Sequence, residues 1–182
     1  MVLPDHSQQR KHLTIIGLGN EMLSDDGLGL RVVRELRKRL TDHSAEFVEL
    51  SVGGLQLFDY LIGTDECIIV DAIATGTQPA GTMLRFVQTP DHEPVKLTSS
   101  HQIDLGQILG LAKFMGADLP RRLTVYGIEA EDITTFRETC TPQVMHAIPL
   151  LADAICEDLR SAQTSSSPCI DKWQILSEPV TP

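Results

Sequence analysis

Two short stretches of the chain are apolar without a break, at residues 13–17 and 67–70. A strand that is covered on both faces has such a continuous run, because its side chains are buried whichever way they point. Three further segments, at 45–51, 81–87 and 123–128, also have the apolar content of strands. The pattern therefore predicts five strands, with those at 13–17 and 67–70 buried inside a sheet.

Segments with helical spacing separate these strands. Apolar residues recur every three or four positions between Gly29 and Leu40, and again within 54–63. A third helix is predicted to start near His101, because Ser99 and Gln102 have the spacing of a capping box.

The last predicted helix begins at Pro142, a residue type favoured at the first helical position, after Thr141 as its cap. Pro149 is expected to kink this helix, since proline lacks a backbone donor. The alternation of strands and helices is typical of a mostly parallel or mixed sheet between helix layers. We therefore expect an α/β fold, a single three-layer domain with a five-stranded sheet and helices on both faces.

The predicted elements occupy about residues 12–160 of the 182-residue chain, a length that fits one domain. Residues 1–11 are polar, and 161–182 are rich in Ser, Thr and Pro without an apolar period. Both segments are therefore expected to be tails, a flexible one at the N-terminus and a polar one at the C-terminus.

The charge of the chain excludes some partners. Its 25 acidic and 15 basic residues give a net charge of -10, which would repel the phosphates of a nucleic acid. No apolar run approaches the roughly 18 residues of a membrane span, and the first residues lack a secretory signal. The four cysteines form no CxxC pair, so we expect reduced thiols in a soluble, cytoplasmic protein without a membrane partner.

Polar residues follow the first predicted strand, at the position where α/β sheets bind ligands. Residues 17–29 open like the dinucleotide motif G-x-G-x-x-G, but Met22 stands where the third glycine belongs. Asp25 and Asp26 would moreover oppose a pyrophosphate, so no nucleotide site is expected. One interpretation of Ser24, Asp25 and Asp26 is capping of the following helix.

Two further residues complete a candidate site. Asp71 ends the apolar run 67–70, where a carboxylate needs hydrogen bonds, an opposite charge or a metal. His101 stands at the predicted start of a helix. Each also has a structural interpretation, as an aspartate bound by backbone amides or as a histidine of the cap region. Together with Asp26, however, they form an N/O ligand set suited to Ni, Zn or Mn, with coordination positions left open.

Five stretches of the chain resemble, in this order, motifs of the [NiFe]-hydrogenase maturation endopeptidases. They are IGLGN at 16–20, LSDDGLGLRV at 23–32, IVDA at 69–72, SHQ at 100–102 and CTP at 140–142. The similarity extends over about residues 12–160, and the GxGNxxxxDDGxG block is specific to the family.

The resemblance implies an α/β endopeptidase that removes a short C-terminal extension from the hydrogenase large-subunit precursor after nickel insertion. Asp26, Asp71 and His101 match the two acids and the histidine of the family that contact metal and are expected to be catalytic. Nickel is then carried by the substrate and is not held permanently by the protease. For Asp25, a role as general base and a role as cap are both open, and capping is favoured. The protein is expected to act as a monomer.

The chain departs from the family after its second predicted strand. Many members have an Asp-Gly-Gly-Thr-like turn there, whereas this chain reads ELSVGG at 49–54. Whether Glu49 replaces that aspartate is left open by the sequence. The alternative to an enzyme is a protein that binds nickel, or assists hydrogenase assembly, without cutting the precursor.

Overall fold

The structure is a computed structural model and describes residues 11–40, 45–51, 55–88, 105–162 and 170–177. The strands within these ranges are β1 (Lys11–Leu18), β2 (Ala45–Leu50), β3 (Thr64–Ile73), β4 (Met83–Gln88), β5 (Arg122–Glu129) and β6 (Ile170–Ser177). In this part of the chain they form one six-stranded sheet of order β2-β1-β3-β5-β4-β6.

The sheet is mixed. β1 pairs in parallel with β2 and with β3, and β3 pairs in parallel with β5. β4 runs antiparallel to both β5 and β6. The prediction of a mostly parallel or mixed sheet is thus confirmed.

Helices cover both faces of the sheet, as predicted. The α-helices in the described ranges are α1 (Leu28–Arg39), α2 (Leu55–Leu61), α3 (Leu105–Phe114) and α4 (Pro142–Ala162). α1 and α4 share one apolar core with the sheet, and α2 and α3 share the other. The fold is therefore the expected three-layer α/β arrangement.

The two cores explain the continuous apolar runs of the central strands. Ile15 of β1 and Ile68 of β3 face α1 and α4, while their neighbours Ile16 and Ile69 face α2 and α3. All four side chains are buried. Each such side chain stabilises the fold by roughly 1.5–3 kcal/mol when it leaves water.

The sixth strand corrects two predictions. The sequence predicts five strands and a polar tail at 161–182, yet β6 lies within that segment and pairs with β4 through Leu84↔Ile175 and Arg85↔Gln174. An edge strand is held by backbone hydrogen bonds on one side and needs few buried side chains, so its sequence has no strong apolar signature.

Two helix predictions are not tested by the described residues. In the described residues α3 begins at Leu105, and the predicted start near His101 lies outside those residues. Pro149 lies inside α4, which continues to Ala162. The predicted kink stays a prediction.

The cysteines that the structure describes are core residues. Cys67, Cys140 and Cys156 are buried free thiols, as expected, and Cys169 lies outside the described residues. Burial raises the pKa of the Cys67 thiol far above its ordinary value, so this residue stays protonated and unreactive. No helix in the described ranges is long and apolar enough to cross a membrane.

Candidate functional site

The order of the strands makes the carboxyl ends of β1 and β3 a topological switch point, which we call the crevice. The chain passes from β1 to β2 on one side and then to β3 on the other side of β1. The two connecting helices, α1 and α2, lie on opposite faces of the sheet. From the carboxyl ends of these strands, the chain leaves β1 toward β2 on one side and leaves β3 toward β4 on the other. The loops that follow β1 and β3 therefore diverge, and such a switch point is where open α/β sheets bind ligands.

Two glycines of the GxGNxxxxDDGxG block allow the loop after β1 to pack tightly at this crevice. A Cβ at Gly29, in the first turn of α1, would lie 2.2 Å from the carbonyl oxygen of Leu18 and 2.4 Å from that of Val70. Gly19 has a φ of 152°, and a Cβ there would lie 2.1 Å from the carbonyl oxygen of Asp26. These glycines thus bring the start of α1 against both strand ends.

Asp26 lies where the start of α1 meets the ends of β1 and β3, in a 3-10 turn (Ser24–Gly27) that packs against α1 and β3. Its side chain is only 3% exposed, and its Oδ2 accepts a hydrogen bond from the amide of Asn20 at 2.9 Å. The N-cap residue of α1, Gly27, has no side-chain cap bond. Asp26 therefore bonds back to the preceding loop, which differs from the helix cap considered from sequence.

Asp71 lies across the crevice on β3. The pairing of β1 with β3 ends at Gly17↔Val70, and Asp71 follows directly, paired on its other side with Gly127 of β5. It is 2% exposed, and its Oδ1 accepts a hydrogen bond from the amide of Ala72 at 2.8 Å. The two predicted acids thus occupy neighbouring elements at the same edge of the sheet.

His101, the third predicted site residue, lies outside the described residues. Across the described ranges, no group of three or more His, Cys, Asp and Glu side chains is arranged to hold a metal ion. The structure therefore places Asp26 and Asp71 at one crevice, and the assignment of His101 rests on the sequence pattern.

Asp25 has a different environment from Asp26, although the two are adjacent. Asp25 is 0% exposed, and its Oδ1 accepts the amide of Thr141 at 2.6 Å. Its Oδ2 accepts the Thr141 hydroxyl and the amides of Glu131 and Asp132, each at 3.0 Å. The favoured interpretation, a cap of the following helix, is wrong, because these donors belong to the β5–α4 connection more than 100 positions away.

Comparison of the chain with known protein families identifies its family. The model of the family described as hydrogenase maturation protease matches residues 30–158. The chain belongs to the hydrogenase maturation protease family. It is accordingly a peptidase, and thus a hydrolase, as the resemblance predicts.

Individual relatives match this protease over most of its length, and a solved structure shares its fold. The hydrogenase 2 maturation protease of Escherichia coli K12 is 29% identical over 160 residues, 86% of this chain and 95% of the relative. The hydrogenase expression/formation protein HupD of Rhizobium leguminosarum bv. viciae is 31% identical over 153 residues, 82% of this chain and 74% of the relative. The solved structure of the hydrogenase maturating endopeptidase HybD from E. coli superposes with a TM-score of 0.70 at 27% identity, covering 83% of this chain and 93% of that one.

Glu49, near the end of β2, is bound to α1 in this protease. Its carboxylate accepts a hydrogen bond from Arg34 Nε at 2.8 Å and lies 3.2 Å from Arg37 Nη1. Arg34 also pairs with Glu21 of the loop after β1. The hydrogen bond from Arg34 lowers the pKa of Glu21, and these partly exposed ion pairs link the loop after β1 to α1 and β2.

One buried acid of the protease was not predicted from sequence. Glu129, at the carboxyl end of β5, is 1% exposed and accepts hydrogen bonds from the Thr75 hydroxyl and the Gly76 amide at 3.1 and 2.6 Å. The rule that singled out Asp71, an acid at the end of an apolar strand, applies to it equally. Its partners all come from the loop after β3, which indicates a role in fixing that loop.

Proposed function

We propose that this protease cuts the precursor of a [NiFe]-hydrogenase large subunit after nickel insertion and recognises the nickel that the precursor carries. Asp26, Asp71 and His101 contact that nickel, and the cut removes a C-terminal extension. The family membership supports the peptidase activity, and the nickel contact is our inference from the site.

The arrangement of Asp26 and Asp71 is the observation that carries the proposal. Two carboxylates, each nearly inaccessible to solvent, lie on neighbouring elements at the switch point of the sheet. Carboxylates that leave water lose favourable hydration, and a divalent cation compensates for that loss. A substrate that brings such a cation into the crevice therefore gains an interaction that a metal-free substrate lacks.

By binding nickel that the substrate carries, Asp26, Asp71 and His101 would position the substrate. Carboxylate oxygens from Asp26 and Asp71 and an imidazole nitrogen from His101 are ligands of the kind that nickel accepts. Fixing the metal fixes the polypeptide that holds it, so the scissile bond is held at one place beside a water molecule. The metal or a carboxylate then polarises the carbonyl group or activates that water.

A cleavage assay with two preparations of precursor tests the proposal. The purified protease is incubated with precursor from nickel-replete cells and with precursor from nickel-starved cells, and the products are weighed by mass spectrometry. We expect loss of the C-terminal extension only in the nickel-loaded sample. A chelator added to the protease alone and then removed serves as the control and should leave its activity intact, because the protease itself holds no required metal.

Each other outcome contradicts a different part of the proposal. Efficient cutting of the nickel-free precursor would contradict nickel recognition. Binding of the nickel-loaded precursor without loss of mass would instead support the assembly chaperone. Inactivation that persists after the chelator is removed, and that added zinc reverses, would indicate a resident catalytic metal.

A further inference from the structure

Asp25 is a buried carboxylate for which the proposed chemistry has no use. It accepts four hydrogen bonds, from the amides of Glu131, Asp132 and Thr141 and from the Thr141 hydroxyl. Its own amide donates to the carbonyl oxygen of Asp132 at 2.9 Å. Charge-assisted hydrogen bonds of this kind are short and directional, so they fix the residues that they join.

Other bonds join the same two segments, the turn 22–26 and the β5–α4 connection 130–141. The amide of Ser24 donates to the carbonyl oxygen of Arg137 at 2.7 Å. The amide of Arg137 donates to the carbonyl oxygen of Met22 at 2.9 Å. The Arg137 side chain donates to the Ser24 hydroxyl at 2.6 Å, and the Cys140 thiol lies 3.4 Å from the Ser24 carbonyl oxygen. The turn is therefore attached to the connection on both sides of Ser24, and Asp25 is the buried anchor.

The attachment bears directly on Asp26, the next residue. A displacement of Asp25 moves the peptide that the two residues share. Asp26 bonds in a different direction, through its Oδ2 to the Asn20 amide. The contacts that position the Asp26 carboxylate thus include one within its own loop and one that reaches the β5–α4 connection through Asp25.

We propose that Asp25 is a positioning residue for Asp26: by anchoring the turn to the β5–α4 connection, it sets where the Asp26 carboxylate meets the substrate. The inference rests on the proposed function of Asp26. Asp25 itself is covered by protein and does not contact substrate. Small misplacements of a group that orients substrate can reduce the rate by about 100-fold.

The Asp25→Asn variant tests the inference. The asparagine side chain has one acceptor oxygen, and its NH2 group would face amide and hydroxyl donors, so the anchor cannot form as in the native protein. The amide resonance of Asn20 in a ¹H–¹⁵N spectrum reports the position of Asp26, since that amide donates to Asp26. We expect the Asn20 resonance to move, and kcat/KM for the nickel-loaded precursor to fall at least ~10-fold at a temperature where the variant is fully folded.

Two substitutions of Thr141, a hydrogen-bond donor to Asp25, perturb the anchor less than Asp25→Asn does. Thr141→Val removes the hydroxyl that donates to Asp25 and keeps the backbone amide, whereas Thr141→Ser keeps both donors. Thr141→Val should shift the Asn20 resonance in the same direction as Asp25→Asn but less, and Thr141→Ser should restore it. Ile155→Val, a core substitution in the distal part of α4, provides the control for a general loss of stability and should leave the Asn20 resonance and the cleavage rate unchanged.

The outcomes separate this inference from the proposed function. In a folded Asp25→Asn variant, an unmoved Asn20 resonance or a wild-type cleavage rate would overturn the positioning role. If Asp25→Asn does not fold, the Thr141 pair decides by the same two readouts. If Asp26→Ala cuts the precursor at the wild-type rate, the proposed function of Asp26 is wrong, and the Asn20 resonance still reports whether Asp25 fixes the turn.

Discussion

The parallel part of the sheet, β2-β1-β3-β5, and its antiparallel edge, β4 and β6, differ in both sequence and task. β1 and β3 are apolar on both faces, because helices cover each side of them. β6 pairs only with β4 in the described residues and carries the half-exposed Ile175. The proposed site residues with a described position, Asp26 and Asp71, both belong to the parallel part.

The difference follows from how parallel strands are connected. Each connection between parallel strands crosses a face of the sheet, so several loops and helix starts collect at the carboxyl ends. Polar side chains there are buried and must bind specific partners, as Asp25 and Glu129 do. Within the antiparallel edge, β4 still contributes Met83 and Phe86 to the two cores, whereas β6 is attached by its pairing with β4. We therefore expect changes in the two parts to affect different properties, cleavage in the first and stability in the second.

The largest effect is expected from removal of either acid at the crevice. Asp71→Ala and Asp26→Ala should each reduce cleavage of the nickel-loaded precursor by at least ~100-fold, because the metal loses a positioning ligand. Asp26→Glu should keep partial activity, since it preserves a carboxylate near the same place. Cleavage is measured together with thermal unfolding, followed by circular dichroism. Loss of the unfolding transition in the alanine variants would mean that the two acids are required for folding.

Removal of β6 should lower the stability of the fold and leave cleavage almost unchanged. A chain that ends at residue 169 should unfold with a free energy lower by about 2 kcal/mol, since several net contributions of ~1 kcal/mol per backbone hydrogen bond are lost. Cleavage at a temperature where this chain is folded should stay within about twofold of the wild type, because β6 lies at the far edge from β1. A chain that ends at residue 177 retains β6 and is the matched control. Loss of cleavage on removal of β6 from a folded chain would contradict the division between the two parts.

A smaller effect concerns acid stability of the β5–α4 connection. Hydrogen bonds from the amides of Thr135 and Thr134 lower the pKa of Asp132 from 3.8 to about 2. A depressed pKa stabilises the folded protein above the unfolded value, and this contribution is lost as the pH falls from about 4 to about 2. We expect the Asp132 carboxyl resonance to titrate near 2, and Asp132→Ala to reduce the dependence of stability on pH in this window. A midpoint near 4 in the folded protein would show that the amides of Thr134 and Thr135 do not stabilise the carboxylate.

The sequence alone predicts the buried strands and the acid that ends one of them, because local hydrophobic patterns determine these features. The neighbouring isoleucines of β1, Ile15 and Ile16, reveal that both faces of the strand are covered, and Asp71 is recognisable because it ends such a strand. β6 leaves little trace, because backbone pairing at an edge requires no particular side chains. The partners of Asp25 are also invisible in sequence, since Glu131 and Thr141 reach it only through the fold.

We propose that substrate-borne nickel meets Asp26 and Asp71 at the crevice between β1 and β3. The most direct measurement is an anomalous difference map, collected at the nickel edge, from crystals of the full chain soaked in a nickel salt. We expect a peak at about 2.0–2.2 Å from carboxylate oxygens of both residues, the usual range for carboxylate bonds to such ions, with His101 as a further ligand. Nickel bound only at other places on the protein, with no peak at the crevice, would contradict the claim.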